Sequence, residues 1–122
     1  MPLASGSTRD RRLVIDVTAA LAAEFDLVPV PADQVVAGAP STGSTAIGTF
    51  GDREYGVWEM TPGAMRDIEV DELFVVVAGT ATVAFADDGR VVHLATGSVG
   101  RLEEGDVTVW TVTDTLRKVY LA

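Results

Sequence analysis

The sequence predicts an all-β fold in which short strands close into a barrel or sandwich. From Val28 onward, short apolar stretches alternate with glycine, proline and Asp-Gly turns, and no helical period separates them. Strands at this spacing, without helices between them, are typical of an antiparallel barrel or sandwich. The chain has 122 residues, of which 48% are hydrophobic and 22% charged. This composition suits one packed domain.

The strand region is divided by its turn residues. Asp88-Gly89 predicts a hairpin, because this pair readily adopts the positive φ angles of a tight turn. The predicted strands span residues 45–50, 54–60, 66–78, 80–86, 90–95, 97–102, 107–113 and 116–121.

The first 28 residues differ from the rest and predict an N-terminal arm, residues 1–28, ahead of a barrel over residues 29–122. Residues 1–12 are small and polar, which predicts a flexible segment. A short helix is expected within residues 13–25, where apolar side chains recur at helical spacing. Because Leu13-Val14-Ile15 also suits an edge strand, the strand alternative stays open. The apolar stripe consists of Val14, Val17, Leu21 and Phe25.

Charge and composition exclude several kinds of chemistry. The formal net charge is −9, so nucleic acid is not an expected partner. There is no cysteine, which excludes disulfides and thiolate catalysis. The apolar runs are too short to span a bilayer, and the N-terminus does not resemble a secretion signal. We expect a cytoplasmic protein without a membrane partner.

Two spacings in the strand region are specific. Glu72 is followed after six residues by Gly79, and Gly97 is followed after five by Glu103-Glu104-Gly105 and then by Thr108. In order and separation they are similar to the two motifs of the cupin superfamily. The flanking segments, residues 56–63 and 110–120, resemble the cupin domain of (S)-ureidoglycine aminohydrolase and the ethanolamine-utilisation cupins. The resemblance covers about residues 29–122.

The resemblance implies an RmlC-like jelly roll, which is a double-stranded β-helix, often a homodimer with a pocket at one mouth. Glu72 matches the glutamate ligand of metal-binding cupins. Arg66 and Ile68 stand in place of the paired histidines, and Thr108 stands in place of the third. The one histidine, His93, lies outside both motifs and is predicted to be an ordinary strand residue. We therefore predict a degenerate site without metal or cofactor.

Strand alternation predicts what replaces the metal. If residues 66–76 form one regular strand, Arg66 and Glu72 share its inner face. We predict that Glu72 pairs with Arg66, or with Lys118 from the last strand. Alternatively, Arg66 extends out of the barrel mouth and Glu72 accepts a hydrogen bond from a hydroxyl or water. The other predicted inner residues are Ile68, Val70, Phe74 and Val76; the predicted outer carboxylates are Asp67, Glu69 and Asp71.

Aromatic residues are expected on the same inner surface. They either wall a ligand cavity or simply fill the barrel. Lys118 is a candidate acid or base if it points inward, although Arg117 can take the inward place instead. The predicted ligand-binding residues are Trp58, Arg66, Phe74, Thr108 and Trp110. The predicted catalytic residues are Glu72, Lys118 and Tyr120.

These observations predict a metal-independent cupin that binds a small polar metabolite. The resemblance suggests ureide or nitrogen-compound catabolism as its area. One alternative is a hydrolase or lyase acting on a ureide-like or amino-acid-derived substrate, with or without a divalent ion held weakly at Glu72. The other is a structural dimer whose barrel is filled by side chains.

Overall fold

One short helix and nine strands make up residues 17–122, the part of the chain that the computed structural model describes. The strands form one strongly curled antiparallel sheet, as the turn-rich sequence predicts. The elements are α1 Val17–Ala22, β1 Val28–Pro29, β2 Val35–Ala37, β3 Ser41–Phe50, β4 Arg53–Met60, β5 Gly63–Ile68, β6 Glu72–Phe85, β7 Val91–Leu94, β8 Val99–Leu102 and β9 Val107–Leu121.

The long strand β9 organises the sheet. It pairs with β6 along most of its length. Its other edge pairs first with β5, from Val107 to Val112, and then with β4, from Leu116 to Leu121. β7 and β8 pair with the two ends of β6, and β3 continues the sheet from β4. This curled arrangement is consistent with the predicted jelly roll.

The core lies inside this curled sheet and follows the two-residue period of the strands. Along β9, Thr108, Trp110 and Val112 are buried, and Leu116 and Lys118 continue the same parity further along. Met60 and Val76 are also among the most deeply buried residues of this core. Burying an apolar side chain of this size stabilises the fold by roughly 1.5–3 kcal/mol. The predicted inner face of β9 is therefore confirmed.

The predicted helix is present, but a different residue faces the barrel. Ala20 is buried, whereas Leu21 of the predicted apolar stripe is 53% exposed. Arg117 holds the end of the helix, since its Nη1 donates hydrogen bonds to the carbonyl oxygens of Ala20, Leu21 and Ala23. Residues 13–16 lie outside the described part of the chain, so the strand alternative there stays a prediction.

The strand predicted over residues 66–78 is wrong, because the chain turns in the middle of it. β5 ends at Ile68 and β6 begins at Glu72. Between them, the amide of Glu69 donates to Asp106 O and the carbonyl of Glu69 accepts from the amide of Gly105. These contacts replace the regular strand ladder. Odd-numbered side chains at the end of β5 and even-numbered side chains at the start of β6 consequently point into the barrel. This change decides which residues form the site.

Other strand boundaries also differ from the prediction. β6 continues through Gly79, which has a positive φ of 87° and lies at a shift in the register with β9. Residues 107–113 and 116–121 belong to one strand rather than two. The short strands β1 and β2 were not predicted. In the described residues, no helix has the length and apolar character needed to cross a membrane.

Candidate functional site

An ion pair lies at the mouth of the barrel. Lys118 Nζ of β9 donates to Glu72 Oε2 at the start of β6, at 2.6 Å. Both side chains are largely buried, with 6% and 14% of their surfaces exposed. This geometry confirms the predicted pairing of Glu72 with Lys118. It also decides which of the two cationic side chains of the last strand points inward: Lys118 points into the barrel, and Arg117 points to the helix.

Three aromatic rings surround the Lys118 ammonium. Nζ lies 4.6 Å from the ring centroids of Trp58 and Trp110 and 4.8 Å from that of Phe74. The negative ring faces attract a cation at these distances. Trp110 also packs against both other rings, with centroid separations of 5.7 and 5.8 Å. The rings and one carboxylate together compensate for the water that the ammonium loses on burial.

Glu69 is a second buried carboxylate, and only 8% of the residue is exposed. Its Oε2 accepts hydrogen bonds from Thr108 Oγ1 at 2.7 Å and from Trp110 Nε1 at 2.9 Å. Hydrogen bonds to an ionised acceptor are roughly twice as strong as neutral ones. The prediction that Glu69 lies on the solvated outer face is wrong, since the turn at residues 69–71 directs it inward.

Asp67 lies beside Glu69 and is half-buried, so its predicted outer position is also wrong. Burial is the largest influence on its pKa, followed by the negative charge of Glu69. The amide of Ile68 and the charge of Lys118 act in the opposite direction. The net result raises the pKa of Asp67 from 3.8 to about 6. A protonated Asp67 can donate a hydrogen bond to Glu69.

Arg66 does not join this site. It is exposed, as are Ile68 and Val70, so the predicted inner face of residues 66–70 is wrong. In β5 the inward residues are Met65 and Asp67, one position out of step with the prediction. Arg66 cannot pair with Glu72 from the outer face. The prediction that Arg66 contacts a ligand depended on an inward side chain and is therefore no longer supported. Asp71 is exposed as predicted and accepts a hydrogen bond from the amide of Glu104.

Tyr120 lies at the edge of the site with its hydroxyl directed outward. The hydroxyl donates to Glu54 Oε2 at 2.8 Å. Burial, followed by the hydrogen bond and charge of Glu54, raises the pKa of Tyr120 to about 12. The phenol therefore stays protonated at neutral pH and is a poor general base.

These groups surround a cavity of about 120 Å³. Five predicted residues line it; Phe74 and Thr108 lie behind them, against Lys118 and Glu69. Sequence reasoning missed three lining residues, Ser44, Asp67 and Glu69. The apolar side chain of Met65 could have indicated that this residue points inward. Strand alternation would then have placed Asp67 inward as well. The lining residues are Ser44, Trp58, Asp67, Glu69, Glu72, Trp110, Lys118 and Tyr120.

The site residues do not fit the metal of metal-binding cupins. Such sites use imidazoles together with a carboxylate. The chain's one histidine, His93, is an exposed residue of β7. The Lys118 ammonium contacts Glu72 directly, where a cation would have to approach. Within residues 17–122, no group of three or more His, Cys, Asp or Glu residues is arranged to hold a metal ion.

The family described as the EutQ-like cupin domain matches residues 48–120 of this chain. The chain belongs to the EutQ-like cupin family. This confirms the cupin resemblance seen in the two motifs. No curated protein matches the chain.

Several solved structures share the fold of this chain. The EutQ protein of Clostridium difficile is 22% identical, with a TM-score of 0.57, over 67% of this chain and 61% of that one. This cupin thus spans less than two-thirds of that protein. A cupin-2 domain protein of Shewanella frigidimarina is 15% identical, with a TM-score of 0.66, over 97% and 98% of the two chains. A putative ethanolamine utilization protein of Salmonella typhimurium is 15% identical, with a TM-score of 0.58, over 81% and 94%.

Proposed function

We propose that this EutQ-like cupin binds a small polar metabolite in the cavity at the barrel mouth. The observation that carries the proposal is the cavity itself, whose walls combine tryptophan rings with carboxylates and an ammonium. Binding sites for small molecules typically have apolar walls and a few convergent polar groups. The cavity also argues against the alternative of a barrel completely filled by side chains.

The metabolic area is proposed to be nitrogen-compound catabolism, including ureides. Two structural neighbours, EutQ and a putative ethanolamine utilization protein, support the general area. The carboxylates of Asp67, Glu69 and Glu72 support it chemically, because nitrogen compounds supply the N–H donors that carboxylates accept. No particular compound is implied by these observations.

A thermal-shift screen of ureides, amino acids and amines tests the binding proposal. A ligand at 100 times its Kd stabilises the folded state by about 2.7 kcal/mol, which raises the melting temperature by roughly 10 °C. Ser44→Phe should block the cavity and abolish this shift. Thr49→Phe is the matched control, since Thr49 is exposed on the same strand but does not line the cavity. A ligand that stabilises Ser44→Phe as well as the unmodified protein binds elsewhere.

A second candidate function is acid–base catalysis on a nitrogen compound, by a hydrolase or lyase. The observation that favours it is Asp67, whose pKa of about 6 allows it to hold or release a proton near neutral pH. Asp67 is better placed for this role than Tyr120, because the phenol stays protonated. Ammonia release from the compounds found in the screen would test it, and Asp67→Asn should abolish turnover even at a concentration of the compound that saturates the variant.

The homodimer implied by the family resemblance is also a proposal. An apolar groove of about 740 Å³ runs along β6, β9 and part of β3. Its exposed members include Phe50, Leu73 and Val75, which monomeric surfaces usually bury or cover. Light scattering should give a dimer mass, and Leu73→Asp should shift it to that of a monomer. A monomer mass for the unmodified protein would refute the dimer.

A further inference from the structure

The cavity contains more negative groups than positive ones. Asp67, Glu69 and Glu72 contribute three carboxylates, and Lys118 contributes one ammonium. When all four groups are ionised, the net charge of this small space is therefore −2. A low local dielectric constant strengthens the interaction of such groups with a bound ion.

One oxygen of each carboxylate already has a protein partner. Asp67 Oδ1 accepts from the amide of Ile68, and Glu69 Oε2 and Glu72 Oε2 accept from neighbouring side chains. When Asp67 is ionised, no side chain or amide of residues 17–122 donates a hydrogen bond to the second oxygen of any of the three. Among residues 17–122 no buried side-chain oxygen lacks a hydrogen-bond partner, so a second oxygen without a protein donor is open to water or to a ligand in the cavity. The cavity thus retains acceptors that need donors.

The donors of the site are mostly engaged. The Lys118 ammonium donates to Glu72 and faces three aromatic rings. The Tyr120 hydroxyl donates to Glu54. Ser44 alone offers a hydroxyl at the rim. An anionic ligand would meet three carboxylates without a free cation to bind it, whereas a cation would satisfy the remaining acceptors.

The size of the cavity limits the ligand group. An apolar cavity of about 150 Å³ accommodates benzene, which has six heavy atoms. The cavity of about 120 Å³ therefore suits a group of similar or smaller size. We propose that the site, if it binds a metabolite as argued above, is specific for a compact nitrogen cation that carries several N–H donors, such as an ammonium, amidinium or guanidinium group.

Isothermal titration calorimetry tests this specificity with four compact probes: methylammonium, methylguanidinium, neutral urea and anionic acetate. At about pH 8, where Asp67 is ionised, at least one cation should bind and acetate should not. Glu69→Gln keeps an oxygen for Thr108 and Trp110 but removes the charge. It should weaken cation binding at least about tenfold, the effect of roughly 1.4 kcal/mol. Glu104→Gln removes an exposed carboxylate outside the cavity and should leave binding unchanged.

A second variant keeps the test decisive if Glu69→Gln does not fold. Asp67→Asn should also weaken cation binding, and it should remove the loss of affinity expected below about pH 6 in the unmodified protein. Binding of acetate or urea without binding of either cation would overturn the inference but leave the proposed binding function intact. If no probe binds and the wider screen also finds no ligand, both are rejected. Equal weakening by Glu104→Gln would show that the effect is nonspecific and would overturn the inference.

Discussion

Removal of the Lys118 charge should destabilise this cupin more than any surface charge does. Lys118→Met preserves most of the side-chain volume but leaves Glu72 without its partner at 2.6 Å. At that separation, and with an effective dielectric constant of about 20, the attraction between two unit charges is about 6 kcal/mol. The cost of burying both charges offsets part of this. Loss of one partner of a buried pair typically costs about 3–5 kcal/mol, and we expect about 3 kcal/mol.

Urea unfolding measures this effect as a change in the free energy of unfolding. The double variant Lys118→Met/Glu72→Gln should recover part of the loss, giving a coupling energy of about 2 kcal/mol. The control is Arg101→Met, which breaks a surface pair with 3.7 Å between Arg101 Nη2 and Glu103 Oε1. Exposed pairs contribute about 0–1 kcal/mol. If Lys118→Met costs no more than Arg101→Met, the buried pair is not formed as described.

Three further variants test the site and the strand that supports it. The folded state binds the Asp67 proton more tightly than the unfolded state does, so the stability of the unmodified protein falls as the pH rises from about 4 to 6. Asp67→Asn removes this loss. The variant should therefore be more stable than the unmodified protein by roughly 1–2 kcal/mol above pH 6 and by little near pH 4. Urea unfolding over this range checks the sign, and a gain that grows toward low pH would contradict it. Thr108→Val removes a hydrogen bond to buried Glu69 and should cost about 2 kcal/mol, whereas Thr108→Ser should cost clearly less. Gly79→Ala should lower the melting temperature far more than Gly89→Ala. Both glycines have a positive φ, so the backbone strain is similar in the two variants. A Cβ at Gly79 would lie 2.1 Å from a β9 carbonyl oxygen, whereas a Cβ at Gly89 would have no atom within 4 Å. Equal effects of the two alanines would refute this explanation.

Much of the fold was predictable because it depends on repeated patterns. The turn residues indicated an all-β chain, and the two motif spacings indicated a cupin. Alternation along the last strand correctly placed Thr108, Trp110 and Val112 inside, whereas it left the choice between Arg117 and Lys118 open. These predictions succeeded because β9 keeps one parity over the residues that reach the core.

The composition of the site was harder to predict, because it depends on where one strand ends. Alternation counted through residues 66–76 placed Arg66 inside and Glu69 outside, and both assignments are wrong. The turn at residues 69–71 is held by backbone hydrogen bonds to the segment near Gly105, which is distant in sequence. Local propensity carries no information on such contacts. A one-residue change in parity moves every following side chain to the other face.

The proposed site depends most on Asp67 and Glu69 turning together into the barrel mouth. A carbon-detected NMR titration of the aspartate and glutamate carboxyl groups tests this directly. Asp67 should titrate with a midpoint of about 6, and Glu69→Gln should lower that midpoint, since Glu69 contributes to the raised pKa. An Asp67 midpoint close to 3.8 that does not respond to Glu69→Gln would place these carboxylates in solvent and contradict the account.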